Sequence, residues 1–449
     1  MNKNISEKTR LAGFVLLSLA AGLVSAAGLT QQEELGRNLY FDTNLSLDFH
    51  GKGQACESCH TPVNGFVDPD SNLPVSEGVI KGLFGGRNAP SASYAMFAPP
   101  LQEDPAPGSD FWIGGQFWDG RATGNPDLDG QLPGGMTGGP GQDASLGDPL
   151  ADQARGPFLN PVEMANTSKL EVIKEILVSK YARKFKRECG PLARVGVDAA
   201  YDCMALAIAA FERTKAFAPF SSKYDAYLRD CTVKAGVDPA LCATGEGAAL
   251  AVAETHFTPR ELLGMQLFMN PNNDLIGESR DADEGAACVL CHVADWAAVP
   301  AGLEAYVPSW VDRVFPNEAK IAPPVFTDFS YDNLGVPVNP EIAELNGVES
   351  MPIDNGLGAV VGPQHNGKFK VMGLRNIAIS EPYAHNGFFK SLKEITHFYN
   401  TRDVVSEEWP APEVSENVND GELGNLGLSE ADEDAIVEFM QTLTDGYQM

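Results

Sequence analysis

Cys56-Glu57-Ser58-Cys59-His60 and Cys288-Val289-Leu290-Cys291-His292 are two copies of one pattern, C-x-x-C-H, with first cysteines 232 residues apart. Two thiols one helical turn apart can form thioethers with the two vinyl groups of one porphyrin. The adjacent imidazole then reaches the iron from one face. This is the attachment signature of c-type haem. A single copy can be mimicked by a zinc knuckle or a redox-active cysteine pair, whereas two copies in one chain point firmly to haem. Two covalently bound haem c groups are expected, one on Cys56, Cys59 and His60, the other on Cys288, Cys291 and His292.

Moving outward, each motif is preceded by the same helix start. Thr30-Gln31-Gln32-Glu33 leads into Leu35-Gly36-x-x-Leu39-Tyr40, and Thr258-Pro259-Arg260-Glu261 leads into Leu263-Gly264-x-x-Leu267-Phe268. Thr followed three residues later by Glu is a capping box. The offset between the helix starts is 228 residues, close to that between the haem motifs. A duplicated haem domain follows. Residues 168–188 and 199–217 carry apolar side chains at helical spacing, 122–156 is rich in Gly, Pro and Asp and reads as a long loop, and 300–365 reads as largely irregular. No segment sustains the alternation of a strand. The expected fold is mainly α, with two cytochrome c-like haem domains, 28–215 and 216–449, and long irregular loops.

The 449 residues include 32 Lys and Arg against 61 Asp and Glu, a formal charge of −29. Phosphate backbones would be repelled, so nucleic acid is excluded as a partner, while basic proteins would be attracted. Lys3, Lys8 and Arg10 precede an apolar run at 11–24, and Val24-Ser25-Ala26 supplies a cleavage site. Residues 1–26 therefore read as a signal peptide, and a periplasmic location is expected. No other run approaches the length of a bilayer span, so no stable membrane span is expected after its removal. Export permits disulfides. Cys189, Cys203, Cys231 and Cys242 allow three pairings, of which loop closure favours Cys189–Cys203 and Cys231–Cys242 as structural staples.

Further motifs resemble the bacterial dihaem cytochrome c peroxidase family, including its MauG-like branch. They are Gly86-Arg87-Asn88-Ala89-Pro90-Ser91, Phe117-Trp118-Asp119-Gly120-Arg121-Ala122, Gln153-Ala154-Arg155-Gly156-Pro157, Asn160-Pro161-Val162-Glu163-Met164, Leu374-Arg375-Asn376 and Pro382-Tyr383-Ala384-His385-Asn386-Gly387. They occur in the family's order along nearly the whole mature chain. The resemblance implies a haem in each of two domains and a calcium ion between them. It makes His60 and His292 proximal ligands, Glu163 the distal carboxylate at the peroxide-binding haem, and Trp118 the tryptophan between the haems. Asn88, Ser380 and Pro382 match the calcium positions. Arg87 and Arg121 are expected to pair with haem propionates or nearby carboxylates, and His385 with a propionate or a structural partner. His256, His365 and His397 read as surface or capping residues. The family also allows a homodimer.

Two departures from the commoner family pattern bear on the branch. The loop Val79-Ile80-Lys81-Gly82-Leu83-Phe84-Gly85 has neither His nor Met, so the first haem should be open or water-bound on its distal side. His50 is the one nearby imidazole that could swing in. Fourteen residues after His385, where a Met is usual, stands Tyr399. A phenolate stabilises ferric and higher iron states far better than a thioether does. Tyr399 at this place resembles the MauG-like branch, with Met372 as the competing ligand. The resemblance thus implies a peroxidase that reduces hydrogen peroxide at the His60 haem with help from Glu163. Oxidising equivalents would pass by Trp118 to the His292/Tyr399 haem and from there oxidise an external donor, which in this branch can be a protein side chain (Trp or Tyr). Trp296 and Trp310 are candidate surface relays. The alternatives are a detoxifying peroxidase fed by a small c-type cytochrome or copper protein, and a dihaem electron carrier.

Overall fold

The computed structural model describes residues 28–48, 50–104, 111–270, 285–298, 311 and 321–448. The expected signal peptide and Trp310 lie outside the described residues. Within them the chain is mainly helical, as expected. Strands occur only as two-residue pairs, 102–103 with 112–113, 297–298 with 321–322 and 331–332 with 369–370.

Both capping boxes form. Thr30 and Thr258 each accept from the backbone N–H three residues on, and Glu33 and Glu261 each return a bond to the cap N–H. The helices that follow, Gln31–Tyr40 and Pro259–Met269, cross Val197–Glu212 and Glu430–Gln441 respectively. The repeated glycine is the crossing point. A Cβ on Gly36 would lie 1.8 Å from the Ala207 carbonyl oxygen, and one on Gly264 would lie 1.8 Å from that of Ala435. Only a residue without a side chain lets the helix axes come this close.

Each crossing anchors a hydrophobic core. One gathers Leu35, Leu39, Tyr40, Ile173, Phe185, Met204, Phe211 and Phe217. The other gathers Tyr224, Tyr227, Met265, Phe268, Phe326, Phe389, Phe398 and Phe439. A smaller cluster joins them, with Tyr94, Phe97, Ala209 and Phe220 packed beside Ala322 and Val325. Here Arg375, almost fully buried, pairs with Asp225 at 2.7 Å amid the rings of Tyr94, Phe220, Tyr224 and Phe326.

Three segments differ from the periodicity reading. Residues 168–188 form two helices, Lys169–Val178 and Ala182–Cys189. The Ser179 hydroxyl donates to the Ile176 carbonyl and accepts from the Tyr181 N–H, so it competes with the helical ladder and ends the first helix. The segment read as helical over 199–217 runs as Val197–Glu212, and Phe217 leaves it to stack on Phe66 at 4.1 Å. The long loop 122–156 ends in a helix, Pro149–Ala154, capped by Asp148. The disulfides are Cys189–Cys203 and Cys231–Cys242, the two local pairings.

Candidate active site

The four motif cysteines stand outside any disulfide. Cys56–Cys59 forms a single helical turn that ends at His60. The His60 Nδ1 lies 3.2 Å from the Phe66 carbonyl oxygen. A carbonyl can only accept, so Nδ1 carries the proton and Nε2 is left with its lone pair. At the second motif the His292 Nδ1 lies 3.0 Å from the Phe326 carbonyl oxygen, with the same consequence. Both phenylalanines are held at positive φ, 62° and 60°, which turns each carbonyl toward its imidazole. Burial lowers the pKa of both imidazoles, so both are neutral at pH 7, the form that ligates a metal.

A cavity opens over each motif. Cys56, Cys59, His60, Arg87, Asn88, Trp118, Arg121 and Glu163 all line the first. Glu163 is held by the Asn160 amide, which donates to its Oε1 at 2.6 Å. Desolvation raises its pKa, while the charge of Arg121 and the Asn160 bond pull it down. Cys288, Cys291, His292, Met372 and Tyr399 line the second cavity. Tyr399 sits on the helix Leu392–Thr401, and burial drives its phenol well above the usual range.

Trp118, His385 and Glu413 line both cavities and so form the wall between them. The Trp118 indole N–H donates to the Asn88 carbonyl at 2.9 Å, and the Lys370 N–H donates to the Trp118 carbonyl at 2.9 Å. His385 stacks on Phe369 at 3.6 Å, and its Nε2 stands 3.4 Å from Glu413. Arg87 grips Asp354 through two bonds of 2.6 and 2.7 Å and reaches Asp119 at 2.6 Å. Arg121 meets Asp119 at 2.9 Å and lies over the Phe117 ring. Both arginines thus find carboxylates of the chain. Asn88 meets Pro382 directly, its amide donating to that carbonyl at 2.6 Å, while the Ser380 hydroxyl donates to Ile377.

Some expectations need correction. His365 is buried, 7% exposed, rather than at the surface. His256 faces Asp230, and His397 bridges Glu433 and Glu407, as pairing partners. His50 is exposed and does not line the first cavity. Trp296 is half-buried, donates to the Pro239 carbonyl and does not line the second cavity. Sequence reasoning missed Met351, which reaches the first cavity from the far half of the chain, and Glu212, a buried carboxyl in the same cavity.

Comparison with known proteins matches this geometry. A family model described as di-haem cytochrome c peroxidase matches residues 30–232. The methylamine utilization protein MauG of Paracoccus denitrificans is 31% identical over 96% of this chain and 94% of its own length. The chain belongs to the di-haem cytochrome c peroxidase family. The enzyme is thus a haem peroxidase, and membership implies two haem c groups. The cytochrome c551 peroxidase of Pseudomonas aeruginosa is 25% identical over 86% of this chain and 76% of its own length. The diheme peroxidase BthA of Burkholderia thailandensis superposes with a TM-score of 0.64 at 26% identity, over 93% of this chain and 86% of that one. The residues fit the implied groups. Each cavity offers two unpaired thiols one turn apart and an imidazole whose free nitrogen is set by a carbonyl behind it. Among the described residues no helix is long and apolar enough to cross a membrane.

Proposed function

We propose that the enzyme is an exported peroxidase of the MauG type. It reduces hydrogen peroxide in the first cavity and takes the electrons from an external donor, a protein tryptophan or tyrosine side chain, through the second. The observation that carries this reading is the shared wall: Trp118 borders both cavities, with Glu163 in one and Tyr399 in the other. Bound haem supplies the redox chemistry. Cys56, Cys59 and His60 hold one group, and Cys288, Cys291, His292 and Tyr399 hold the other. Glu163 takes the proton from one peroxide oxygen and returns it to the leaving oxygen, a role suited to a carboxylate poised between desolvation and a nearby guanidinium. Trp118 passes the electron between cavities. Tyr399 is taken as the far ligand, with Met372 as its competitor; both line the second cavity.

Two hydrophobic cores support two haem domains, read as 28–215 and 216–449, although Ala216 and Phe217 pack with the first core. The signal-like residues 1–26 and two disulfides support a periplasmic location. A calcium ion would take oxygens of Asn88, Ser380 and Pro382 once the Asn88 amide turned its oxygen toward them. One observation favours a second reading. The charge of −29 would steer a basic electron-donor protein, as in a detoxifying cytochrome c peroxidase. Optical and EPR spectra of the ferric protein, before and after one equivalent of peroxide, separate the two. One high-spin haem, reaction without a reductant and loss of both ferric signals support the MauG-type reading. Two low-spin haems that ignore peroxide until half-reduced would refute it and leave the second.

A further inference from the structure

Glu212 is the last residue of the helix Val197–Glu212, where a glutamate would ordinarily face water. Here it is 93% buried (7% exposed), it lines the first cavity with Cys56 and His60, and its Oε2 has no hydrogen-bond partner. The neighbouring Thr214 hydroxyl is buried and unpartnered as well. The groups that face Glu212 offer it no net counter-charge. Arg213 is engaged by Asp148 through two bonds of 2.6 and 2.7 Å, so the cation beside it is already neutralised. Tyr40, from the crossing helix, gives its hydroxyl to the His60 carbonyl at 2.8 Å, and Cys56 is the thiol of the attachment motif. A carboxylate is costly in such a place, and desolvation pushes the Glu212 acid up to about 8, above the opposing pull of Arg213. The reaction at the Glu163 end of the cavity makes no use of it.

We propose that Glu212 couples one proton to one electron at the first haem, holding a proton while that haem is reduced and releasing it when the haem is oxidised. This rests on the reading that Cys56, Cys59 and His60 carry a haem. The balance is simple. Glu212 as the carboxylate would take one proton from solvent when the donor delivered one electron to the haem held in this cavity, and both would leave together on oxidation. The driving force is the one extra positive charge that a ferric haem carries over a ferrous one, which favours the carboxylate on oxidation and the acid on reduction. Glu212 therefore holds its proton more tightly beside the ferrous haem than beside the ferric one, and the peroxide cavity keeps a proton in reserve that Glu163 does not supply.

The test is the midpoint potential of the first haem against pH in the intact dihaem protein, for wild type, Glu212→Gln and Glu163→Gln. The expected wild-type potential falls as pH rises toward 8, by up to a tenfold change in the redox equilibrium per pH unit, which is about 59 mV for one electron. Glu212→Gln should lie flat at the acid-side wild-type value, and Glu163→Gln should keep the slope. Redox-difference infrared spectra should show a carboxylic acid C=O band that Glu212→Gln removes. A flat wild-type profile, or a slope that survives Glu212→Gln, overturns the proposal. Should Glu212→Gln not fold, Glu212→Asp serves: the slope should persist in a displaced pH window, and an unmoved window overturns the proposal. The mass of the peptide carrying Cys56 and Cys59 reads haem attachment separately, so failure of the site reading is told apart from failure of this one.

Discussion

Replacing Gly36 by Ala should destabilise the first haem half, against the ordinary trend for helices. In an exposed helix interior Ala is favoured over Gly by about 1 kcal/mol. At Gly36 the new Cβ would meet the Ala207 carbonyl oxygen at 1.8 Å, its carbon at 2.6 Å and the Phe211 Cβ at 2.8 Å. Ordinary carbon contacts lie at about 3.5 Å or beyond, so the helices must part by roughly 1.5 Å. The obstacle is backbone on a packed helix, which no rotamer change can move aside. Overpacking of this kind costs about 1–3 kcal/mol, and loosening the contacts among Leu35, Leu39, Ala207 and Phe211 adds to it. The propensity gain offsets about 1 kcal/mol, leaving a net loss near 2 kcal/mol. That corresponds to a fall of about 4–8 °C in the Tm of a unit of this size. Gly264→Ala meets Ala435 at the same 1.8 Å and should do the same to the second half. Gly421, with nothing within 4 Å of its ideal Cβ, is the control and should change little. Thermal unfolding followed by far-UV circular dichroism and by haem absorbance reads all three. An unchanged or higher Tm in Gly36→Ala would show that the crossing is looser than drawn and that the repeat has no packing basis.

Other expectations follow from the cavities. Glu163→Gln keeps the Asn160 bond but cannot carry the proton, so stopped-flow reaction with peroxide should slow by about 10²–10⁴ with resting spectra unchanged; a loss below threefold would remove Glu163 from the chemistry. Tyr399→Phe should alter the EPR signal of the second haem alone and raise its potential, because a hard anionic donor to ferric iron is gone. An identical signal and potential would return the ligand to Met372. Among the described residues the buried Lys370 ammonium meets no carboxylate and donates to the Gly115 carbonyl, and burial lowers its pKa to about 7. The unfolded chain then binds more protons than the folded one from about pH 7 to about 10.4, so stability should rise with pH across that window. Denaturant titrations should show this slope in wild type and its loss in Lys370→Met; equal slopes would mean that the ammonium has a counter-ion.

How far these features can be read from sequence depends on how local their causes are. Cys56, Cys59 and His60 are contiguous, and the capping boxes of Thr30 and Thr258 close within four residues, so motif and repeat were plain. The glycines repeat for a reason that only the crossing reveals. The carbonyls behind the two imidazoles lie 6 residues on at His60 and 34 at His292, so no common spacing betrays them, although the device is the same. Glu212 was invisible because an acidic residue at a helix end reads as solvated until the opposite wall is known.

The inter-cavity wall shows the same limit most sharply. It brings together positions 118, 385 and 413, which no periodicity links, and only family resemblance put Trp118 there beforehand. Once assembled, the wall is knit by short bonds. The Trp118 indole holds the Asn88 carbonyl, the Asn88 N–H holds the His385 carbonyl at 2.8 Å, and the Asp354 N–H holds Glu413 at 2.9 Å while its carboxylate grips Arg87. Neither cavity can then be reshaped alone at this boundary. A substitution at Arg87 frees Asp354, which frees Glu413, which faces the second cavity as well as the first. The wall between the two cavities is thus held by polar contacts of backbone and carboxylates as much as by the indole in it. Trp118→Phe would test the indole while leaving most of that frame in place.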